Sequence, residues 1–413
     1  MKTVLVLGVG LQGKTLLYDL ERSPLISTIV AADQDIEGLR HYVSKMGFKK
    51  VQEEELDARN EDHIASLMKT ADIVIEMLPG VFSLPMARLA VENNVSLVNA
   101  MYLVNLGETD AARRSAEEAT VMQLHKEAQT RGVAVLSEMG MDPGIDLVLC
   151  GQAVRDLDEV HELYSYGSGF PEPEAANNPL KYKITWAFDG VLKSYKRPGW
   201  ILKDGQVVGI PAREIFSKAH VHTVDVPGLG HFEAFVNGDA TKYAKTLGIE
   251  ETVRTMGRFV LRWEGHCAFW DKMVKMGFLD EGPVSVGAFS VVPRKFVYYL
   301  LESQLQYGPG EKDIAYLRVD ARGVKDGERK RVIYQVLDRR DLDTGFTAMT
   351  RTVAFSASIG AQMILRGDIK KKGILSPAVD VPFSIFRMEL EKRGIQVELS
   401  EEPWTPGSLI GSL

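Results

Sequence analysis

The first twenty residues contain the feature that most limits how this chain can fold. Residues 3–7 read Thr-Val-Leu-Val-Leu, which is apolar and β-branched on both faces, as in a buried parallel strand. Residues 8–13 match the pattern G-x-G-x-x-G, and a helical pattern follows from residue 14 to about residue 22. Glycines placed between a buried strand and a helix are typical of the turn that holds the pyrophosphate of a dinucleotide.

Five of the six residues of this turn have a predicted task. Gly8 permits the tight turn, Gly10 lets the backbone approach the pyrophosphate, and Gly13 lets the helix and strand pack closely. Leu11 and Gln12 open the helix, where unpaired backbone N–H groups face the negative charge of the phosphates. We therefore expect all five residues to contact the cofactor.

A carboxylate is predicted at the tip of the second strand, which we place at residues 27–32. Asp33 follows that strand and lies 20 residues beyond Gly13. A carboxylate there accepts hydrogen bonds from both ribose hydroxyls and repels a 2′-phosphate. Gln34 comes next, so no guanidinium is offered to NADP at this point. These residues favour NAD over NADP as the cofactor.

The alternation of strand and helix continues to residue 136. Helical patterns cover 36–46, 64–69, 84–92 and 109–131, and strand patterns cover 49–52, 72–78, 95–98 and 133–136. This order predicts an α/β fold with a doubly wound parallel sheet, that is, an N-terminal Rossmann domain.

Sheets of this kind bind ligands beyond the carboxyl ends of their strands. Residues that follow the strands should therefore line one crevice, and those that we assign to cofactor binding are Leu78, Pro79, Ala100 and Met101, with Tyr102 and Asp142 beside the nicotinamide. Asp57 follows the third strand, which places it near the adenine.

The sequence pattern changes after Asp142. Residues 170–179 (FPEPEAANNP) are too rich in proline and asparagine for a regular element. Strand-like runs follow at 183–186, 231–236, 258–263 and 331–337, and a long apolar helical pattern covers 348–365. We interpret the middle of the chain as a second α/β domain built on a mixed sheet.

Composition narrows the class of function. The 413 residues include 56 acidic and 49 basic side chains, a formal net charge of −7 that gives no reason to bind nucleic acid or an anionic membrane. Two further features concern the compartment of the protein. Having only two cysteines, Cys150 and Cys267, favours a reducing cytoplasm. The N-terminus lacks the features of a signal peptide, and its apolar run is too short to span a bilayer. His220, His222 and His231 lack further ligands at metal-binding spacing, so we expect no metal.

Several blocks resemble one enzyme family. Residues 140–146 (GMDPGID) are similar to a stretch of the glutamate-forming saccharopine dehydrogenases, also called saccharopine reductases. Further blocks agree in the same order, at 171–180 (PEPEAANNPL), 239–244 (DATKYA), 261–265 (LRWEG), 307–313 (YGPGEKD) and 347–353 (TAMTRTV). The resemblance spans nearly the whole chain. Lysine 6-dehydrogenases share the general plan, especially the last block.

The resemblance implies a fold and a reaction. It assigns residues 1–143 and 345–394 to the dinucleotide-binding domain, 144–344 to a domain for substrate binding and dimerisation, and 395–413 to a C-terminal tail. Members of the family oxidise the C–H of a secondary amine with NAD(P) to an imine. Water then opens the imine to glutamate and 2-aminoadipate semialdehyde. A homodimer acting on an amino-acid substrate is the expected assembly.

The predicted strand ends and the resemblance together suggest site residues. Asp142 and Tyr102 are assigned to positioning of substrate and nicotinamide, with an acid/base role as a hypothesis. Carboxylates of the substrate require cations and amide donors, and the residues chosen for contact are Tyr102, Asp142, Lys183, Asn237, Asp239 and Arg258. The chain departs from the family at two positions: Gly238 stands where an arginine is usual, and Gly167 where a cysteine is frequent.

Because of Gly238, the sequence does not decide the identity of the substrate. Loss of an arginine that pairs with a carboxylate is not a small change, and free lysine, with one carboxylate, needs fewer cations than saccharopine. A lysine 6-dehydrogenase or related opine dehydrogenase is therefore an alternative, which the 171–180 and 239–244 blocks oppose. An NAD-binding sensor without turnover is an alternative of another class.

Overall fold

The computed structural model of the protein describes residues 1–105, 108 and 110–405. The chain divides into two compact units. The first unit contains Met1–Gly151 and Thr350–Gln396, and the second contains Gln152–Met349 and the described residues from Val397.

Strands and helices alternate in the first part of the chain: β1 Lys2–Leu7, α1 Leu11–Arg22, β2 Ile26–Asp33, α2 Ile36–Met46, β3 Val51–Glu55, α3 Glu61–Met68, β4 Ile73–Glu76, α4 Ser83–Glu92, β5 Ser96–Asn99, α5 Ala111–Arg131, β6 Ala134–Leu136 and α6 Ile145–Arg155. The next part is richer in strands: β7 Glu159–Pro171, α7 Phe188–Ser194, β8 Gly199–Lys203, β9 Gln206–Ile210, β10 His222–Val226, β11 Gly230–Val236, α8 Lys242–Leu247, β12 Thr255–Trp263, α9 His266–Lys275, β13 Val284–Val286, β14 Phe289–Val291, α10 Pro293–Glu302, β15 Asp313–Lys325 and β16 Glu328–Arg339. The last elements are α11 Ala348–Arg366, β17 Gly373–Leu375, α12 Pro377–Asp380, α13 Phe383–Lys392 and β18 Val397–Pro403.

The first unit is the predicted doubly wound sheet. Seven strands lie in the order β17-β6-β5-β4-β1-β2-β3, and every neighbouring pair is parallel. Residues 4–7 of β1 are fully buried because helices cover both faces of such a sheet. The strand order reverses between β1 and β4, which is the position where open α/β sheets form their ligand crevice.

The late segment 350–396 completes the first unit. Strand β17 extends the sheet by pairing with β6. Asp19 of α1 forms a two-point ion pair with Arg393, with N–O distances of 2.7 and 2.9 Å, and accepts a hydrogen bond from Ser358 of α11 at 2.6 Å. These contacts stabilise the packing of α11 and the end of α13 onto α1.

The second unit is built on a nine-stranded mixed sheet. Its main path is β10-β11-β12-β7-β15-β16-β18, with β8 joined to β12 and β9 joined to β8. Strands β12 and β7 are parallel, whereas the other pairs are antiparallel. An aromatic core that includes Phe170, Tyr182, Phe232, Phe259 and Trp270 packs against this sheet. The predicted fold class is thus confirmed for both domains.

Two predictions of local structure are wrong. Residues 183–186 do not form a strand, because Ile184 donates its N–H to a loop carbonyl, that of Leu305, and the Asn178 amide ties down Tyr182. Residues 397–403 are not part of a tail, since β18 pairs with β16 along its whole length. The end of the predicted tail, 406–413, lies outside the described residues.

In the described part of the chain, no helix combines the length and apolar character needed to cross a membrane.

Candidate functional site

The glycine turn has the geometry that a dinucleotide requires. Gly8 adopts φ +91°, where side chains are rarely tolerated, and donates its N–H to Ala32 at 2.9 Å. A Cβ at Gly13 would lie 2.3 Å from the carbonyl oxygen of Gly8, so the helix can approach the strand only without a side chain there. A Cβ at Gly10 would meet no atom within 4 Å. Gly10 therefore faces open space, where a phosphate can approach the backbone.

The start of α1 is suited to an anion. Gly10 is its N-cap and supplies no side-chain acceptor, and the first turn has no acidic residue. Leu11 is 60% exposed and Gln12 is partly exposed. The first N–H groups of a helix lack partners within the helix and carry partial positive charge, so they favour a phosphate.

Asp33 stands at the carboxyl end of β2, beside this turn. Its carboxylate accepts the N–H of Val9 at 2.6 Å and the N–H of Asp35 at 2.9 Å. These two bonds fix the side chain next to the glycine turn while leaving it partly exposed. The structure thus brings together the predicted phosphate turn and the predicted ribose acceptor.

Asp57 has an additional partner that the sequence did not indicate. It lies just after β3, and its carboxylate forms an ion pair with Arg59, whose Nη2 is 2.7 Å away. This hydrogen bond, with a second from the Arg59 backbone, lowers the pKa of Asp57 to about 2. The assignment of Asp57 to the adenine stays a prediction.

Glu76 is a residue of the crevice that sequence reasoning missed. It ends β4 and is fully buried, opposite the buried Asn99 of β5. Its carboxylate accepts the N–H of Leu78 at 2.7 Å and the hydroxyl of Ser83 at 3.2 Å, which shapes the segment that carries Leu78 and Pro79. Burial raises the pKa of Glu76 from 4.5 to about 7, although both hydrogen bonds lower it. In the sequence, the only indication of this buried carboxylate was a single acidic residue within an apolar run.

Replacing Glu76 with glutamine should stabilise the protein above pH 7. The folded protein holds this proton more tightly than the unfolded chain, so the stability that the group provides is complete below pH 4.5 and is lost as the pH rises to about 7. The loss is about 3 kcal/mol at 1.36 kcal/mol per pKa unit. Urea unfolding of both proteins between pH 5 and 8 measures it. The prediction would be contradicted if the free energy of unfolding changed with pH in the same way in both proteins.

The ends of β5 and β6 lie beside this segment. A Cβ at Gly80 would be 2.9 Å from the Met101 side chain, and one at Gly140 would be 3.2 Å from Ala100. Met101 also accepts the N–H of Glu138 through its carbonyl. The segments that follow β4, β5 and β6 therefore form one edge of the sheet, as the topology predicted.

A tight turn holds Asp142 at that edge. Gly144 adopts φ +145°, and a Cβ there would lie 2.0 Å from the carbonyl oxygen of Gly140. The buried Asp146 accepts the N–H of Gly144 at 2.8 Å and anchors the start of α6. Asp142 and Tyr102 both remain partly exposed. The chain thus presents a carboxylate and a phenol where the sequence expected them.

In the second unit, Lys183 takes part in an ion pair. Its ammonium contacts Glu311, which also accepts hydrogen bonds from Asn177 at 2.8 Å and from the N–H of Gly308 at 2.6 Å. The hydrogen bond from Lys183 is the main reason that the pKa of Glu311 falls to about 2. Lys183 therefore joins two loops, and its contact with substrate stays a prediction.

The other predicted substrate residues lie around the ends of β11 and β12. Arg258 is 4% exposed and stacks on the ring of Tyr243 at 5.1 Å, and its backbone carbonyl accepts the N–H of Asn237. Asp239 accepts the N–H and hydroxyl of Thr241, which fixes the turn before α8. Gly238 lies between them at φ +65°, a conformation that favours glycine. These residues form one group, to which sequence reasoning did not add Tyr243.

Arg262, the other buried arginine of β12, belongs to the core. It is 6% exposed, contacts the Ser168 hydroxyl and the Leu261 carbonyl, and lies over the ring of Tyr182. Its guanidinium is therefore enclosed by core residues.

Two domain profiles of one protein family match this chain. The profile of the saccharopine dehydrogenase NADP-binding domain matches residues 4–136, and that of the saccharopine dehydrogenase C-terminal domain matches residues 140–395. The mitochondrial alpha-aminoadipic semialdehyde synthase of Bos taurus is 27% identical over 91% of this chain. The saccharopine dehydrogenase [NADP(+), L-glutamate-forming] of Saccharomyces cerevisiae is 23% identical, over 96% of this chain and 98% of the yeast protein.

A solved structure has the same fold. Apo saccharopine dehydrogenase (L-Glu forming) from Saccharomyces cerevisiae superimposes with a TM-score of 0.81 at 20% identity, over 97% of this chain and all of that one. The chain spans about half the length of the animal synthases, since its match covers 45% of the bovine protein. The first unit corresponds to the family's nicotinamide-cofactor domain. This chain belongs to the saccharopine dehydrogenase family.

Proposed function

We propose that the protein is a nicotinamide-dependent oxidoreductase that acts on the CH–NH bond of an amino acid, with saccharopine as the substrate and glutamate and 2-aminoadipate semialdehyde as the products. The observation that carries this proposal is the open approach to Gly10 beside the uncapped start of α1 and the carboxylate of Asp33. Membership of the saccharopine dehydrogenase family supports the reaction type.

The residues present fit a dinucleotide. The backbone of residues 8–13 would hold the pyrophosphate, Asp33 would accept the ribose hydroxyls, and Leu78 and Pro79 would lie at the crevice edge. When bound there, the nicotinamide supplies the acceptor for the hydride that leaves the substrate carbon. The task of the protein is to orient substrate and ring and to move protons.

Asp142 and Tyr102 are our candidates for moving those protons and orienting the substrate. Both stand at the carboxyl ends of strands in the first unit, partly exposed, and the turn at Gly140–Gly144 holds Asp142 rigidly. Oxidation requires a base that takes the amine proton, and imine opening requires a group that takes a proton from water. We assign the carboxylate of Asp142 to these transfers and the hydroxyl of Tyr102 to orientation of the substrate.

An assay with several substrates tests the function. Purified protein is mixed with NAD or NADP and with saccharopine, lysine or related opines, and the absorbance of the reduced nicotinamide is followed. Turnover of saccharopine with release of glutamate is the expected result. Cofactor binding without turnover of any amine would contradict the proposal and favour an NAD-binding sensor.

Substitution of Asp142 by asparagine should lower kcat by about a hundredfold or more, since general acid–base catalysis contributes roughly 10²–10⁴-fold. The shape of the turn is preserved, so the dissociation constant of the cofactor should not change. Steady-state kinetics and cofactor titration measure the two quantities. Tyr102→Phe serves as the comparison, because it removes a hydroxyl and keeps the ring. Unchanged turnover in Asp142→Asn would remove Asp142 from the mechanism.

For the cofactor itself, we propose NAD over NADP, although the name of the yeast relative specifies NADP(+). The carboxylate of Asp33 is fixed by Val9 and Asp35 where it would meet the ribose, and it would repel a 2′-phosphate. Asp33→Asn should therefore raise the ratio of kcat/KM for NADP to that for NAD by about tenfold or more, equal to about 1.4 kcal/mol.

Asp35→Asn is the matched control for this change. Asp35 caps α2 by accepting the N–H of Gly38, which an asparagine oxygen can also do, so the ratio should stay as in the wild type. A wild type that uses NADP better than NAD would contradict the proposal.

A second candidate substrate is free lysine. Gly238, at φ +65°, replaces the arginine that is usual in the family, and one fewer guanidinium suits a substrate with fewer carboxylates. The same assay distinguishes them, because a lysine 6-dehydrogenase would turn over lysine and leave saccharopine unchanged.

A further inference from the structure

The carboxylate of Glu76 is a buried acid at the ligand edge of the first unit that the proposed reaction does not use. Glu76 ends β4 and is fully buried. Its neighbours on the elements packed against β4 are Leu7 of β1, Asn99 of β5 and Ser83 of α4, and all three are uncharged. Within the described residues, no cation forms an ion pair with it. A carboxylate buried without a cation is costly, so its presence at this position calls for a role.

Glu76 lies close to the glycine turn. In the parallel register of β1 and β4 it is the partner of Leu7, and the next residue, Met77, donates its N–H to Leu7 at 2.7 Å. A Cβ at Gly8 would lie 2.9 Å from the carbonyl oxygen of Met77. The residue that follows Glu76 therefore borders the turn that would hold the pyrophosphate.

This position determines which half of a bound dinucleotide lies nearest to Glu76. Under the proposed function, on which this inference rests, Asp33 at the end of β2 accepts the ribose of the adenosine half, and the start of α1 holds the pyrophosphate. The nicotinamide half must then extend to the opposite side of β1, over the ends of β4 and β5. Because Glu76 ends β4, the nicotinamide half is the part of the cofactor nearest to it.

The two redox forms of the cofactor differ in charge at this ring. The oxidised nicotinamide carries one positive charge, and the hydride that it accepts makes it neutral, whereas the phosphates are unchanged. A negative charge nearby therefore favours the oxidised form over the reduced form. Its effect is largest where burial keeps water away from the charge, as it does at Glu76.

The surroundings of Glu76 suit both of its protonation states. The carboxylate accepts the N–H of Leu78 at 2.7 Å and the hydroxyl of Ser83 at 3.2 Å. Asn99, its partner on β5, is also fully buried, and a side-chain amide can either donate to a carboxylate or accept from a carboxylic acid. Burial raises the pKa of Glu76 to about 7, so both states are populated near neutral pH.

We propose that Glu76 makes cofactor binding selective for redox state: its carboxylate favours the oxidised nicotinamide, and protonation removes this preference. Other carboxylates of this unit, such as those of Glu138 and Asp142 after β6, lie on segments beyond β5. They are unchanged in Glu76→Gln, which removes only the charge at the end of β4. Any effect of pH that they cause would persist in this variant.

Calorimetric titration of the purified protein with NAD⁺ and with NADH between about pH 5.5 and 8.5 tests the proposal. NADP⁺ and NADPH replace them if they bind more tightly, since the ring is the same. In the wild type, the ratio of the dissociation constant of NADH to that of NAD⁺ should rise about tenfold over this range. Two unit charges about 12 Å apart have such an effect at an effective dielectric constant of about 20. In Glu76→Gln, the ratio should stay near the low-pH value of the wild type.

Proton release provides a second readout that needs the wild type alone, in case the variant folds poorly. Near pH 7, binding of NAD⁺ should release more protons than binding of NADH, because only the charged ring favours the carboxylate of Glu76 over its protonated form. Titrations in two buffers with different ionisation enthalpies measure the difference. Equal proton release by the two forms would contradict the proposal.

Asp72→Asn is the matched control. Asp72 directly precedes β4, about 13 Å from Glu76 at about 3.3 Å per residue, at the opposite edge of the sheet. Its ion pair with Lys2 is partly exposed and contributes little, and an amide oxygen can still accept the N–H of Thr3. The affinity ratio of this variant should follow that of the wild type at every pH.

The outcomes separate this inference from the proposed function. A wild type that binds neither form of the dinucleotide would overturn both. Binding of both forms with a ratio that does not change with pH, or that changes equally in the wild type and in Glu76→Gln, would overturn the role of Glu76 and leave the cofactor site in place.

Discussion

Replacing Gly10 with alanine should raise the dissociation constant of the cofactor by about a hundredfold, or about 2.7 kcal/mol, with a much smaller effect on the stability of the free protein. A Cβ at Gly10 meets no protein atom within 4 Å, and φ is −71°, outside the left-handed region that favours glycine. Its ψ of −149° lies beyond the extended region, so alanine adds some backbone strain but no clash. The added methyl group would project into the space that the pyrophosphate must enter. Titration with NADH and NADPH, followed by thermal unfolding without cofactor, measures both expectations.

Two other glycines serve as controls for this experiment. Gly310→Ala also meets no atom within 4 Å but lies in the second unit, so neither stability nor affinity should change. Gly13→Ala should destabilise the free protein, because its Cβ would lie 2.3 Å from the carbonyl oxygen of Gly8. If Gly10→Ala bound dinucleotide as tightly as the wild type, the turn would not be the phosphate site.

Substitution of Asp19 by asparagine should destabilise the first unit by about 3 kcal/mol, the cost of breaking one side of a buried ion pair. The side chains of Asp19 and Arg393 are only 11% and 13% exposed, and the carboxylate accepts two guanidinium N–H groups and the hydroxyl of Ser358. Loss of its charge leaves the guanidinium with a single carboxylate, that of Glu389. Hydrogen exchange of the strands of the first unit measures the change.

The second unit provides an internal reference for this measurement. All five tryptophans, at 186, 200, 263, 270 and 404, belong to it, so the urea midpoint of tryptophan fluorescence should shift less than the exchange rates of the first unit. Glu37→Gln is the control, because its ion pair with Arg40 is exposed and contributes little. Equal effects of the two substitutions would show that the buried pair does not stabilise the first unit.

Residues 1–136 of the first unit could be predicted almost completely from the sequence, whereas the return of residues 350–396 to this unit came only from the family resemblance. Its strands are short apolar runs, such as residues 3–7, and its helices end at clear stops, such as Gly132 at φ +69°. The sheet of the second unit could not be predicted in this way, because its central strands lack the usual apolar pattern of buried strands. Strand β7 contains glycine and serine at 165–169, and β15 buries Asp320 between Arg322 and Arg331. Buried ion pairs in a strand resemble an exposed segment until the partner strand is known.

The site was predictable where it depends on backbone and not where it depends on side-chain partners. The positions of Gly8, Gly10, Gly13 and Asp33 follow from local turn geometry, and the topology placed the ends of β4, β5 and β6 together. The partners of Lys183 and Asp57 were not predictable: Glu311 lies 128 residues from Lys183, and Arg59 could equally have pointed to solvent. Which residues form such ion pairs is determined by the packing of the folded chain.

The division of the chain has a consequence for biosynthesis. The first unit contains residues 350–396, which follow nearly 200 residues of the second unit, and the second unit also contains β18 at 397–403. A nascent chain on the ribosome that has reached residue 151 therefore lacks the edge strand β17 and the arginine partner of Asp19. Neither unit can finish folding until residues 350–403 have been synthesised, so the growing polypeptide must keep its early apolar strands from aggregating until then.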